Sequence, residues 1–223
     1  MSKVRTSEQL EKSNFSALVS SQGIYRYTPK AIIDYPEIYE VQGKGTGVKI
    51  ISKTLAALPE LFKDYEEDGM FEILGLDSGK RVLRYIKKEY IEDNEYIGYY
   101  KVLVPEANGT GAIGEVLSSP ILGSPILCHT DTFLSVGKFE TEAEAEACLK
   151  YIKTKFARTM LGTLKATQHN PRDTWANVPL QDFTVNSDID WSQSVPEIDR
   201  QLYAKYHLSE EEIAFIERMI KPM

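Results

Sequence analysis

Lys150, Lys153, Thr154, Arg158 and Lys165, followed by Gln168, His169, Asn170 and Arg172, are the side chains whose types and spacing suggest chemistry. That chemistry is recognition rather than bond-making. Cations at helical spacing match the phosphates of a polyanion, and Gln, His, Asn and Arg hydrogen-bond base edges and phosphate oxygens. At 100° per residue, Ala145, Leu149, Ile152, Phe156 and Met160 fall within about 80° of one another. Thr154, Arg158 and Lys165 fall on the opposite side, and Lys150 and Lys153 flank the stripe. A solvated charged face is the plainer reading of such a helix. The polar loop that follows moves the balance towards DNA.

Catalytic chemistry is sparsely provided for. His129, His169 and His207 are far apart and lack metal-ligand spacing. His129 stands in a β-like run and reads as a core or edge residue. There is no G-x-S-x-G elbow. Glu37, Glu40 and Lys44 come nearest to an acid-pair-plus-lysine nuclease, but the spacing is off and Gln42 stands where an acid is needed. Asn170-Pro171-Arg172-Asp173 superficially resembles the N-P-P-Y/F motif of amino-methyltransferases, without its second Pro or stacking aromatic. Gly43–Gly47 has neither phosphate-loop spacing and reads as a turn. Asp182, Asp188, Asp190 and Asp199 do not match an EF-hand loop. The chain carries no catalytic motif of its own, and neither a catalytic residue nor a metal or cofactor site is expected in it.

The elements that must position the polar residues can be read from caps and periodicity. Thr141 with Glu144 three residues on forms a capping-box pattern, and Glu140, Glu142, Glu144 and Glu146 crowd the first turns, where the helix dipole favours anions. A long amphipathic helix is expected over 142–165, ended or thinned at Gly162. Ser209 and Glu212, with Leu208 and Ile213 placed as a staple, start a terminal helix. Phe71–Leu74 and Arg81–Ile86 read as strands joined by the turn Leu76–Lys80. Tyr96–Val104 is the strongest strand candidate. Ile24–Tyr27 and Ile38–Val41 read as short strands, and Thr54–Asp68 as a helix interrupted by Pro59. Ser119-Pro120-Ile121-Leu122 and its echo Ser124-Pro125-Ile126-Leu127 suggest extended edges. The glycines at 109, 111 and 114 mark a loop.

The sum is an α+β fold: a mainly antiparallel twisted sheet, a long amphipathic helix and a C-terminal helical tail. A domain over 15–185 and an acidic helical extension over 186–223 are expected. The 223 residues are 42% hydrophobic, enough for a real core, and the net charge is −7. The acid is uneven: 173–223 holds 10 acidic and 4 basic residues, against 23 and 22 before it. A local basic face is therefore compatible with an acidic whole. Two cysteines, Cys128 and Cys148, make no disulfide framework. No apolar run reaches transmembrane length and the first residues lack a signal-peptide core, so a cytoplasmic protein without a membrane partner is expected.

Strings across the chain carry a family resemblance. They begin near Phe15-Ser16-Ala17-Leu18-Val19-Ser20-Ser21 and continue with Tyr100-Lys101-Val102-Leu103-Val104-Pro105 and Thr130-Asp131-Thr132-Phe133-Leu134. Tyr151-Ile152-Lys153-Thr154-Lys155-Phe156 with Arg158, then Val178-Pro179-Leu180-Gln181-Asp182-Phe183, Asp190-Trp191-Ser192, and Leu202-Tyr203 with Lys205-Tyr206 complete the pattern. The chain resembles the C-terminal target-recognition part of bacterial type II (type IIG-like) restriction–modification enzymes, in which it is fused to an adenine-specific DNA methyltransferase. Residues 22–100 depart from the pattern. The resemblance implies binding of double-stranded DNA and positioning of a target adenine for a methyltransferase/nuclease domain of the same enzyme. S-adenosylmethionine and Mg²⁺ would belong to that other domain. On this reading Lys150, Lys153, Arg158 and Lys165 meet phosphates, and Gln168, His169, Asn170 and Arg172 meet bases or backbone. Two other readings compete: a non-catalytic interaction or scaffold domain, and a cryptic Mg²⁺-dependent nuclease on Glu37, Glu40 and Lys44.

Overall fold

The computed structural model describes residues 14–43, 47–108, 117–165 and 167–223. The architecture is α+β, with two three-stranded sheets. In chain order the helices are α1 (Pro29–Asp34), α2 (Glu37–Gln42), α3 (Ser52–Ala57), α4 (Glu142–Lys153), α5 (Lys155–Gly162), α6 (Val195–Lys205) and α7 (Glu210–Met219). The strands are β1 (Met70–Asp77), β2 (Lys80–Lys87), β3 (Tyr100–Pro105), β4 (Ile121–Gly123), β5 (Leu127–His129) and β6 (Phe133–Phe139). One sheet runs β2-β1-β5 and the other β4-β3-β6. Every pairing is antiparallel except β1 with β5.

Each sheet has its own core. The larger core joins the β3–β6 sheet to α4, α5, α6 and α7, with Phe15, Val104, Val136, Tyr151, Phe156 and Trp175 among its buried members. Phe15 is its hinge-pin, with ring centroids 5.4 Å from Trp175 and 5.7 Å from Tyr151. Ile198, Leu202, Ile216 and Ile220, all beyond position 185, lie in this same core. The second core holds Tyr25, Tyr27, Ile38, Phe62, Ile73, Ile86 and Tyr90 with Cys128. A small patch of Leu74, Leu103, Leu127 and Phe133 links the two sheets. At Gly75 the bare backbone admits α3: a Cβ there would lie 2.6 Å from Leu55 and 2.9 Å from Thr130.

Four sequence expectations change. Ile24–Tyr27 makes only isolated bridges, Arg26 to Lys49 and Tyr27 to Ile91, and is not a strand. Residues 37–42 are helical, not a strand. Pro36 stands at the N-cap, Glu37 and Glu40 sit in the first turn, and Ile38 and Gln42 face inward at helical spacing. The helix expected over Thr54–Asp68 covers only Ser52–Ala57, because Pro59 has no N–H to continue it. The helix expected over 142–165 is two helices meeting at Thr154. This residue is extended (φ −59°, ψ 149°) and serves as C-cap of α4 and N-cap of α5. Its hydroxyl accepts from Ala157 N–H and donates to the Tyr151 carbonyl. A threonine supplies in one side chain the cap that both ends require.

The remaining expectations hold where local chemistry decides. Both capping boxes form, Thr141 with Glu144 and Ser209 with Glu212. β1 and β2 are a hairpin, and the strong strand lies at Tyr100–Pro105. The glycines at 109, 111 and 114 lie outside the described residues. No helix among the described residues is long and apolar enough to cross a membrane.

Candidate nucleic-acid interface

Splitting the long helix redistributes its cations. The Lys150 ammonium donates to the carbonyls of Trp191, Ser192 and Gln193 at 2.7, 3.4 and 3.2 Å. Thr154 is fully buried as the double cap just described. Arg158 is buried too: its Nε reaches the carbonyls of Lys153 and Thr154, and one terminal nitrogen donates to the Lys221 carbonyl at 2.7 Å. Lys165 is buried, donates to the Asn108 carbonyl, and is pushed down to about 8 by desolvation. Asn170 is fully buried, with its amide on the Pro105 carbonyl at 3.0 Å. These five groups stitch the C-terminal helices and the 105–108 segment to the core. Lys153 is half-buried, and its ammonium has no hydrogen bond or ion pair among the described residues.

Asp199 explains why α5 begins where it does. Its carboxylate, on α6, accepts from the N–H groups of Lys155 and Phe156 at 3.0 and 2.9 Å. Burial pushes it up to about 6, against the pull of those two N–H groups. Asp199→Ala leaves two buried donors without an acceptor and costs about 2–4 kcal/mol. Asp199→Asn keeps one acceptor and cannot ionise. Because the folded pKa lies above the unfolded value of 3.8, the carboxylate weakens the fold as pH rises from about 4 through 6. Relative to wild type, Asp199→Asn therefore gains up to about 3 kcal/mol between pH 4 and pH 7. Urea unfolding of the two proteins across that range measures the change; a pH-independent difference contradicts it.

Gln168, His169 and Arg172 stay at the surface. His169 Nδ1 lies 2.9 Å from the Glu106 carboxylate. The loop's backbone is tied by Asn108 N–H to the Gln168 carbonyl and Asn170 N–H to the Glu106 carbonyl, both 2.7 Å. Arg172 Nε donates to the Ser16 carbonyl at 2.9 Å. So 167–172 presents a few polar side chains from a fixed backbone.

The strongest basic feature lies elsewhere. Residues 80–88, KRVLRYIKK, place Lys80, Arg81, Arg84, Lys87 and Lys88 on β2 and just after it. β2 is an edge strand, and none of these five cations forms an ion pair among the described residues. The turn Ser78-Gly79 has positive φ at both positions (50° and 77°). Such a two-residue loop matches the right-handed strand twist and gives a tight ribbon. Val82 and Ile86 face the second core, so the ribbon is anchored along one side. Arg81 lies over the Phe133 ring at 5.6 Å and donates to the Ser119 carbonyl, whereas Lys80 and Lys87 are exposed and unattached.

A chain of hydrogen bonds links the end of β1 to the 167–172 loop. Leu76 N–H donates to Ser52 Oγ (2.9 Å), which bonds Thr132 Oγ1 (3.0 Å). The Thr132 carbonyl accepts from Glu106 N–H (2.9 Å), and Glu106 holds His169 and Asn170. The ribbon was missed in the sequence because charge was summed over long segments, where its cations vanish among carboxylates. A nine-residue window finds it.

The groups most reminiscent of an enzyme are sealed inside. His129 is 1% exposed, with Nδ1 on the Thr130 carbonyl (2.8 Å) and Nε2 on Ser135 Oγ (2.9 Å). Desolvation holds it down to about 4, so it is neutral. Cys128 and Cys148 are buried free thiols, Cys128 pushed up to about 12. Lys101, fully buried, donates to the Leu127 carbonyl at 3.0 Å. Glu37 and Glu40 are exposed on α2, and Lys44 lies outside the described residues. No group of three metal-ligating side chains occurs among the described residues. Comparison of the chain with family models, curated proteins and solved structures gave no match.

Proposed function

We propose that this chain is a duplex-DNA target-recognition module, reading sequence for a separate catalytic domain. The observation that carries the reading is the β1–β2 ribbon, none of whose five cations forms an ion pair among the described residues. Beyond Leu74, where β5 stops pairing with β1, the hairpin is a two-stranded ribbon of the kind that fits the major groove of B-DNA, and lysines without ion-pair partners release counterions from phosphates. Gln168 and His169, tied to the end of β1 through Ser52, Thr132 and Glu106, are side chains suited to base edges, and Lys153 and Arg172 to phosphates. Asn170 holds the loop from within through the Pro105 carbonyl, and Arg158 bonds the carbonyl of Lys153.

The stretch that departs from the family strings, 22–100, coincides with the second core and includes the ribbon. A recognition module is expected to vary in the part that reads sequence. Adenine methylation and cleavage, with S-adenosylmethionine and Mg²⁺, would be the work of the methyltransferase/nuclease domain. The acidic C-terminal side, which DNA repels, would face that domain. It offers a groove over Phe183, Ile189 and Trp191, beside a fully exposed Val185.

The test is selection from a randomised duplex pool by the full chain, at low salt and again near physiological salt. Enrichment of one short adenine-containing motif is the expected result, with affinity falling steeply as salt rises. Absence of binding at both salt concentrations overturns the DNA reading and favours a protein-interaction domain that uses the acidic groove.

A further inference from the structure

We propose that the pocket between Arg172 and Lys138 is a phosphate site, filled by one phosphodiester of the duplex backbone when DNA is bound. The pocket, of about 260 Å³, opens where the turn at 15–18, the loop before β3 and the edge of β6 meet. Its polar lining comes from Ser20, Ser21, Glu95, Lys138 and Arg172, with Tyr96 beside them.

Three features fit a tetrahedral anion. Arg172 is exposed but anchored: Nε is held on the Ser16 carbonyl, leaving both terminal nitrogens for a ligand. A guanidinium fixed in this way offers its planar fork with little rotamer freedom left to lose. Lys138 adds a second positive charge, held 5.6 Å over the Tyr96 ring. Ser20 is 3% exposed and accepts from Ser135 N–H; its own hydroxyl proton has no acceptor among the described residues. Glu95 is the internal competitor, paired with Lys138. Two cations against one carboxylate leave the pocket positive, and an incoming phosphate takes the place of Glu95 on the ammonium.

This inference depends on the DNA reading for the source of the phosphate, and the experiment separates the two. Thermal unfolding is measured in inorganic phosphate against chloride at equal ionic strength, and duplex affinity is measured across salt. Phosphate is expected to raise Tm in wild type, not in Lys138→Met, and more strongly in Glu95→Gln. Lys138→Met, a change on an exposed side chain, is expected to reduce the slope of log K against log salt by about one. Arg172→Gln gives the same loss, and Arg172→Lys recovers part of it. An unchanged slope with no phosphate effect overturns the pocket while leaving DNA binding by the ribbon intact. Phosphate stabilisation through these residues, in a chain that does not bind duplex, upholds the anion site but overturns both its source and the DNA reading.

Discussion

Charge reversal of Lys80, Lys87 and Lys88 together is expected, on the proposed DNA reading, to lower duplex affinity by about 100-fold or more near 100 mM salt. The same triple variant lowers the slope of log K against log salt by about two to three, since each lost phosphate contact removes about 0.9. The argument rests on position. Lys80 and Lys87 are exposed on an edge strand, Lys88 follows directly, and none forms an ion pair among the described residues. Lys88 also lies over the Phe71 ring at 5.4 Å, so a Lys88→Gln version guards against loss of packing. Overall charge is controlled by reversing Arg200, Arg218 and Lys221, three exposed cations on α6, on α7 and just after it. That control changes net charge equally and is expected to cost less than about a tenth of the ribbon's effect, because exposed charges beyond a Debye length are screened. Equal losses in the two triple variants would reduce the ribbon to a contributor to net charge and remove the main support for a DNA-reading edge.

Lys101→Met is expected to stabilise the protein at neutral pH by about 1–3 kcal/mol. Lys101 is fully buried, has the Leu127 carbonyl as its hydrogen-bond acceptor, and is pushed down to about 8 by desolvation. Methionine matches its length and carries no charge to desolvate. The lost bond to Leu127 offsets part of the gain. The pH dependence identifies the cause. Since the folded pKa lies below the unfolded 10.5, the penalty is full below pH 8 and disappears by about 10.5. The advantage of methionine therefore shrinks as pH rises through that window. Guanidinium unfolding of both proteins at pH 7, 8.5 and 10 is the measurement. A constant or negative difference would mean that the buried ammonium is compensated within the fold.

Much of the fold was legible because it is set locally. Thr141 and Ser209 announce their helices by capping boxes, and Leu76–Lys80 announces a hairpin by turn chemistry; all three are present. The break at Thr154 was not legible, since the apolar stripe runs through it without a change of phase and its cause is Asp199, 45 residues on. The fate of the cations was hidden for a related reason. A helical wheel sees one helix against water, whereas Lys150 and Arg158 meet carbonyls of 191–193 and of Lys221 that only tertiary packing brings near. Of the loop that follows, Gln168, His169 and Arg172 are surface residues, while Asn170 is drawn inward by the Pro105 carbonyl. The ribbon's cations needed no tertiary information, only a shorter window.

On the proposed DNA reading, the joint between the two cores bears on how the chain would change its target. Residues from Tyr25 to Tyr96 supply nearly all of the second core, and Leu74 is their share of the four-residue patch against the other sheet. Evolution could exchange that stretch as a cassette, leaving the framework of Phe15, Tyr151 and Trp175 untouched. The cassette is incomplete by four residues, however. β5 lies parallel to β1, sending Cys128 into the second core and Leu127 into the linking patch. A graft that carries 22–100 but not 126–129 leaves a transplanted strand beside a foreign neighbour. Chimaeras between relatives of this chain should inherit both segments from one parent.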